Sequence, residues 1–341
     1  MLIHIARTWN NEGKGDYKKF NEIVYTLLTL AFALYYPFAI LKFGDGNSGI
    51  FFPAAIDELI FMGNIFIVGV MLGVIGWAFS AKIRCLRNPG LLKDQNNYEV
   101  FCEKFLKEYP ERNQFKRKIT HILPFAVVGG VVMITSLFRD LLGEMWINYA
   151  MFIIICIGLD FAFTFLLQDL IRLYDFSYMP PNAIKMCAAG LTPDELDTFT
   201  STSVMVFGFA PFLFVAFPIF FIELLITAVA DAMASIFGLI ASNRGEKHIF
   251  PRGTEKSIEG YIGGFIFTFL CTVLGALFSN VYGLSNWPLA IILTLALILS
   301  VVFVIIDIIT SKIKLQDNYL NPLIIGLVSI AYINAVGLPI F

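Results

Sequence analysis

The sequence predicts an all-α, polytopic integral membrane protein with about nine transmembrane helices, and three observations predict it. Of its 341 residues 58% are hydrophobic and the mean hydropathy is +0.76, more apolar than the surface of a soluble domain of this size can carry. The apolar residues are gathered into runs of bilayer-spanning length separated by short polar stretches. Lys and Arg, finally, crowd into alternate connections and avoid the others. The net charge of −2 arises from basic residues spread over short loops, which excludes a nucleic-acid surface. Five cysteines without a C-x-x-C pair exclude a disulfide framework and a zinc site.

In chain order, the polar start MLIHIARTWNNEGKGDYKKF has no short apolar core with a small-residue cleavage site and reads as retained rather than as a signal peptide. Spans are predicted at Ile23–Leu41, Leu59–Phe79, Ile119–Phe138, Ile147–Leu167, Val204–Phe220, Phe221–Ile240, Tyr261–Tyr282, Leu289–Ile306 and Leu320–Val336. The fifth and sixth form one apolar tract, divided here near Pro218. Gly44–Ala55 has no Lys or Arg, whereas Lys82–Lys118 is rich in both, so the N-terminus is expected on the cytoplasmic side. Counting on, Arg172–Thr200, Ser242–Ser257 and Thr310–Asn318 then emerge on that same side, and eight spans would break the pattern. Within the basic loop, YEVFCEKFLKEY has helical periodicity, with Val100, Phe101, Phe105 and Leu106 on its apolar side; it suits a packed helix or a cover over a site. Thr192 with Glu195 suits a capping box, which gives Asp194 and Asp197 a structural reading.

The chain is organised around Ala230–Gly264, where almost every kind of polar chemistry interrupts the apolar sequence. Asp231 ends the run Phe212–Val229, a costly place for a carboxylate without a partner. On a continuing helix Ser235 and Gly238 share its face, the glycine admitting close approach. Arg244, Lys247, His248, Arg252 and Lys256 follow around Gly245 and Gly253, before a new apolar helix begins near Ile258. Cations, free backbone N–H groups and a helix N-terminus make a place for phosphate, and a carboxylate beside phosphate implies Mg²⁺.

The order of these residues, D-x-x-x-S-x-x-G followed by P-x-G-T-x-K-S-x-E-G, resembles the signature of the dolichol kinase family of CTP-dependent membrane lipid kinases. Asp231, Ala234, Ser235, Gly238, Pro251, Gly253, Thr254, Lys256, Ser257, Glu259 and Gly260 fall on it. Arg117, Lys118 and His121, which charge rules alone would read as snorkelling cations at a helix head, match the R-K-x-x-H-like element of related phytol and diacylglycerol kinases. Asp317, Asn318 and Pro322 match a second recurrent element, D-N-x-x-x-P; alone they also suit a turn and a helix start. Asp307 stands near where that family carries a Glu, and Arg172 and Glu195 match loosely an arginine and an acid of the same region. The resemblance runs from about Arg117 to Leu323, so residues 1–116 divide off as an N-terminal membrane hairpin and basic cytoplasmic loop, and 117–341 as a lipid kinase membrane domain.

The resemblance implies a kinase that transfers phosphate from CTP to a membrane isoprenoid alcohol at the cytoplasmic face of a prokaryotic plasma membrane or an ER membrane. Asp231 and Asp317 are the expected metal-linked carboxylates, either of them also suited to take the alcohol proton. Lys256, with Lys247 or Arg252, is expected to hold phosphates; Ser257, Gly253 and Thr254 offer hydroxyl and backbone donors; Ser235, Gly238 and Gly260 complete the nucleotide site. Glu259 is expected to orient Lys256 or a metal-bound water, Asn318 the substrate or metal, while Arg117, Lys118 and His121 close the site. No G-x-x-x-x-G-K-[ST] sequence occurs, which removes the commonest ATP cradle. K-S-x-E-G-x-x-G-G also resembles phosphatidate cytidylyltransferases, making CDP-lipid synthesis one alternative, although the H-G-G element of those enzymes is missing. A membrane transporter with ionisable residues on its path is the alternative of another class.

Overall fold

The computed structural model describes residues 1–8, 15–44, 57–109, 122–254, 256–315 and 317–338. Among these the architecture is all-helical, apart from one isolated antiparallel bridge between Ile249 and Ser257. The principal helices are α1 (Leu2–Thr8), α2 (Asp16–Gly44), α3 (Asp57–Arg87), α4 (Tyr98–Glu108), α5 (Leu123–Ser136), α6 (Trp146–Tyr174), α7 (Pro181–Gly190), α8 (Ser201–Leu213), α9 (Phe217–Leu225), α10 (Asp231–Asn243), α11 (Ile258–Val281), α12 (Leu289–Ile313) and α13 (Asp317–Ala335).

Five helical stretches are long and apolar enough to cross a membrane: Phe61–Arg87, Arg139–Tyr174, Phe217–Asn243, Ile258–Val281 and Leu289–Ile313. By that criterion the chain is a multi-pass membrane protein. Leu123–Ser136 and Leu320–Ala335 are shorter apolar helices. Large apolar side chains such as Phe66, Leu72, Leu137 and Val281 point outward, as lipid-facing residues do.

The long apolar tract divides at Phe214–Ala216, not between Phe220 and Phe221 as the sequence suggested. Proline has no N–H to give, and Pro218 therefore sits in the first turn of α9, where none is required. From Phe217 to Asn243 the chain is one rod, interrupted by a π turn at Ile226–Ala230 between α9 and α10. The main apolar core runs through the bundle and includes Phe221, Ile222, Leu299 and Phe303.

Polar connections gather at one end of the bundle. Lys18 at the head of α2 pairs with Asp197 at 2.7 Å, and Asn21 donates to the Lys314 carbonyl beyond α12 at 3.3 Å. His4 of α1 approaches Glu22 of α2 at 3.2 Å and packs edge-on against Tyr174 and Phe199. At the end of α3, Lys82 meets Asp175 at 2.8 Å and Ser177 at 2.6 Å. Helix α4 is a packed helix: Phe101 and Phe105, one turn apart, are buried against Phe176 and the α7 region. Val100 and Leu106, expected on the same side, are exposed, because a short helix resting on one neighbour buries only a narrow i, i+4 stripe.

The Thr192 capping box forms, the Glu195 carboxylate accepting from the Thr192 N–H and hydroxyl at 3.0 Å each. Arg172 and Glu195 do not line a site. The Arg172 guanidinium is buried against Asp169 at 3.0 Å and donates to the carbonyls of Glu195, Leu196 and Thr198. Asp169 in turn accepts from the Thr200 N–H and hydroxyl. The pair clamps the 192–200 turn onto the end of α6, a task for which a five-donor fork suits several carbonyls at once.

Candidate functional site

The predicted site is built where α10, α11 and α12 meet, and small residues let them meet closely. A Cβ on Gly260 would lie 3.1 Å from the Ala234 carbonyl oxygen, and one on Gly264 2.6 Å from the Phe303 ring and 3.3 Å from the Ala234 Cβ. One on Gly263 would lie 2.7 Å from Phe237. The glycines after K-S-x-E therefore seat α11 between α10 and α12, whatever else they do. Gly238 faces the head of α11 as well, its added Cβ falling 3.3 Å from Ser257 Oγ.

Ser257 is the N-cap of α11: its backbone is extended and its Oγ accepts from the Gly260 N–H at 3.2 Å. The preceding loop folds back as a small hairpin. The Phe250 N–H donates to the Lys256 carbonyl at 3.1 Å, the Ile258 N–H to the His248 carbonyl at 3.0 Å, and the Tyr261 hydroxyl to the Phe250 carbonyl at 2.9 Å. Gly245 and Gly253 take positive φ values of 72° and 84°, the left-handed turns that such a tight return requires. Thr254 closes the tip by donating to the Pro251 carbonyl at 2.9 Å.

Lys256, at the end of this hairpin, reaches across to α12 and pairs with Asp307, Nζ to Oδ1, at 2.6 Å. The Asp307 side chain is 3% exposed and that of Lys256 34%, so a buried carboxylate holds a partly exposed cation. Asp307, the residue that deviates from the family pattern, is thus the direct partner of the motif lysine. Asp231 opens α10 after the π turn and is buried, while Ser235 one turn on is exposed. Ala234 packs at the level of Gly260 and Gly264, so Asp231, nearly one turn before it, lies deeper in the bundle than Ser257. Lys247 is half-buried and Arg252 exposed on the loop that joins α10 to α11.

Glu259 does not orient Lys256. Its carboxylate takes His248 instead, accepting from the backbone N–H at 3.2 Å and meeting Nδ1 at 2.6 Å. The hairpin dictates this: it returns His248 to the first turn of α11, while Lys256 points away toward α12. Asn318 lies half-buried at the start of α13, the helix that Asp317 begins. The Asp317 side chain lies outside the described residues, as do Arg117, Lys118 and His121 altogether.

Among the described residues no group of three His, Cys, Asp or Glu side chains is placed to hold a metal ion. Mg²⁺ asks for less, usually one or two carboxylates completed by substrate phosphates and water, and a buried carboxylate such as Asp231 is a donor of the right kind. The donor chemistry therefore fits the group.

Two buried acids inside predicted spans escape the sequence reading, Asp160 and Glu223. Glu223 lies inside what was treated as the uninterrupted apolar run Phe212–Val229, is fully buried on α9, and meets no hydrogen-bond partner through either oxygen among the described residues. The signal was there in the sequence: a carboxylate eight places before Asp231 on the same rod. Set against family models, curated proteins and solved structures, the chain finds no match in any of the three comparisons.

Proposed function

We propose that the protein is a CTP-dependent kinase that phosphorylates the hydroxyl of a membrane isoprenoid alcohol of the dolichol or polyprenol kind. The observation that carries this reading is the Lys256–Asp307 pair, which joins two of the three polar segments singled out by motif at one end of three close-packed helices. On this reading nine helices cross the bilayer, with the N-terminus and the site on the cytoplasmic side, where the polar connections would meet soluble nucleotide.

Each part has a task. The partly exposed Lys256 ammonium holds phosphate oxygens, with Lys247 or Arg252 adding charge from the loop. Asp307 keeps the ammonium in place while it does so. The acceptor hydroxyl attacks the γ-phosphorus, the bond to the β-phosphate oxygen breaks, CDP departs, and the hydroxyl proton passes to a carboxylate, the role this reading gives to the buried Asp231. Asp231 and Asp317, together with substrate phosphates, would hold Mg²⁺, which would supply charge neutralisation.

An apolar cavity supports the lipid side of the reading. It is lined by Phe32, Pro124, Ile154, Ala162, Phe209 and Leu224 among others, and has a volume of about 140 Å³. An apolar cavity of about 150 Å³ takes one benzene-sized group, so this one suits a single isoprene-sized unit. Its rim includes Leu123 and Ile157, 58% and 37% exposed, which opens it sideways toward lipid. Leu224 lies seven residues before Asp231, about 10 Å along the rod.

The test is to give purified protein labelled CTP or ATP with a panel of dolichol, shorter polyprenols, phytol and diacylglycerol and to identify the products. The expected result is a lipid monophosphate and CDP, lost in Asp231→Asn, Lys256→Ala and Asp317→Asn variants that still insert and fold. Pyrophosphate release would identify CDP-lipid synthesis instead. Solute movement in sealed vesicles with no phosphorylated lipid would identify a transporter.

A further inference from the structure

The hairpin that carries Lys256 has no apolar anchor. Among the described residues from 242 to 256 none is buried, and Ile249 and Phe250, its large apolar side chains, are 54% and 48% exposed. A segment of that kind opens locally at little cost unless polar contacts hold it. Its shape matters, because Lys256 is its last residue before the Ser257 cap and reaches Asp307 on α12 at 2.6 Å.

The side chains that hold it come from the first turn of α11. Glu259 takes His248 by two routes, its carboxylate accepting from the backbone N–H at 3.2 Å and meeting Nδ1 at 2.6 Å. Tyr261 takes Phe250, two residues on: its hydroxyl donates to the Phe250 carbonyl at 2.9 Å, and the two rings meet edge to face with 6.5 Å between centroids. The backbone carries both grips to the lysine. The Ile258 N–H donates to the His248 carbonyl at 3.0 Å and the Phe250 N–H to the Lys256 carbonyl at 3.1 Å, so the two residues gripped by α11 are the two that pair with the segment 256–258.

The register of the acid fits this task. A capping-box acid stands at the third helical position and folds back on its own N-cap. Here that position is Gly260, and the acid stands one place earlier, from which its carboxylate reaches His248. Lys256 itself is turned toward α12, so Glu259 acts on it only through the hairpin. We propose that Glu259 and Tyr261 are positioning residues that clasp the 248–257 hairpin to α11 and thereby fix Lys256 against Asp307. In this arrangement neither side chain has to touch nucleotide or metal. The clasp follows from these contacts, and its consequence for nucleotide binding rests on the kinase reading.

The experiment compares the full chain in detergent with Glu259→Ala, Glu259→Gln and Tyr261→Phe. Glutamine is the deciding variant, since its amide oxygen still accepts from His248 but carries no charge for a metal ion or a bound water. Amide hydrogen exchange across residues 248–258 and the rate at which a succinimidyl ester labels Lys256 are read by mass spectrometry, beside KM and kcat for CTP. In Glu259→Ala and Tyr261→Phe, exchange and Lys256 labelling should each rise about fivefold while the melting temperature stays within about 2 °C of the parent, because the opened segment is an exposed one. KM for CTP should rise about tenfold with kcat lowered less than about threefold, the pattern of a lost binding contact. Glu259→Gln should match the parent in every reading. Unchanged exchange and labelling in Glu259→Ala and Tyr261→Phe overturns the proposal, as does a Glu259→Gln that keeps the hairpin closed and loses kcat, which would make the carboxylate a catalytic group. If the parent turns over no CTP, the kinase reading fails while exchange and labelling still decide the clasp. If Glu259→Ala does not fold, Tyr261→Phe and Glu259→Gln decide.

Discussion

Replacing Lys256 separates two roles that the structure gives one side chain. Losing one partner of a fully buried ion pair costs about 3–5 kcal/mol, whereas an exposed pair is worth about 0–1 kcal/mol. The Asp307 side chain is 3% exposed and the Lys256 side chain 34%, so this pair falls between the limits. Lys256→Met should therefore cost about 2 kcal/mol, mostly by taking the cation from the buried Asp307 carboxylate, and lower the melting temperature by about 3 °C. Asp307→Asn takes the carboxylate from a partly exposed lysine and should cost less. In Lys256→Met/Asp307→Asn neither charge of the pair is left, and the melting temperature should return to within about 1 °C of the parent. Lipid phosphorylation should not return with it, because the ammonium that holds phosphate is still gone. The assay is thermal unfolding of the four proteins in one detergent, beside turnover of labelled CTP. Additive losses of stability would refute the pairing, and a double variant that recovers both stability and turnover would make Lys256 a structural cation only.

Other outcomes follow from the same packing. Gly264→Ala should lose about 1–3 kcal/mol, since its Cβ would fall 2.6 Å from Phe303, and Phe303→Leu should recover part of it in thermal unfolding. Ser257→Ala removes the N-cap of α11 and should cost about 1 kcal/mol, whereas Ser257→Asp should be close to neutral in stability. Arg172→Met leaves the buried Asp169 carboxylate without its cation, for a loss of about 3 kcal/mol and faster proteolysis across residues 192–200. Burial tends to raise the Asp175 carboxyl, but Lys82 and Ser177 outweigh it and hold the group below its ordinary 3.8. A depressed carboxyl stabilises the fold above its unfolded value and loses that contribution as pH falls through the folded one. The parent should therefore lose stability below pH 3.8 more steeply than Lys82→Met, as read from acid titration of the melting temperature.

The helices were legible because each predicted apolar segment is also a block of helix-compatible residues bounded by Pro, Gly or charge, and each holds a helix in the structure. Boundaries were less legible where sequence offers a marker but not its position in the turn: Pro218 marks the break before α9 without sitting at it. Within the site, Asp231, Ser235 and Gly238 fall on one helix and Ser257 caps the next, as their spacing required. The partner of Lys256 was not readable, since Asp307 is 51 residues away and only tertiary packing joins them. Glu259 went astray for the same reason, its i+3 spacing from Lys256 being cancelled by an extended residue at Ser257 that turns the lysine outward from α11. Glu223 was lost to averaging: a hydropathy window that stays strongly apolar hides a single acid, and only its burial reveals it.

The π turn connects the two acids of the rod. In a regular helix eight residues turn the chain by about 80° modulo a full circle, which would set Asp231 on a different face from Glu223. One inserted residue of the kind a π turn accommodates shifts the register by about 100°, bringing Asp231 to within about 20° of the Glu223 meridian. Thr227 lies between them on the turn itself. Glu223, Thr227 and Asp231, all buried, thus follow one side of the rod, where an unbroken α-helix would set the two acids about 80° apart. A π turn forgoes regular hydrogen bonds, and alignment of the two carboxylates is the return that this chain visibly obtains from it.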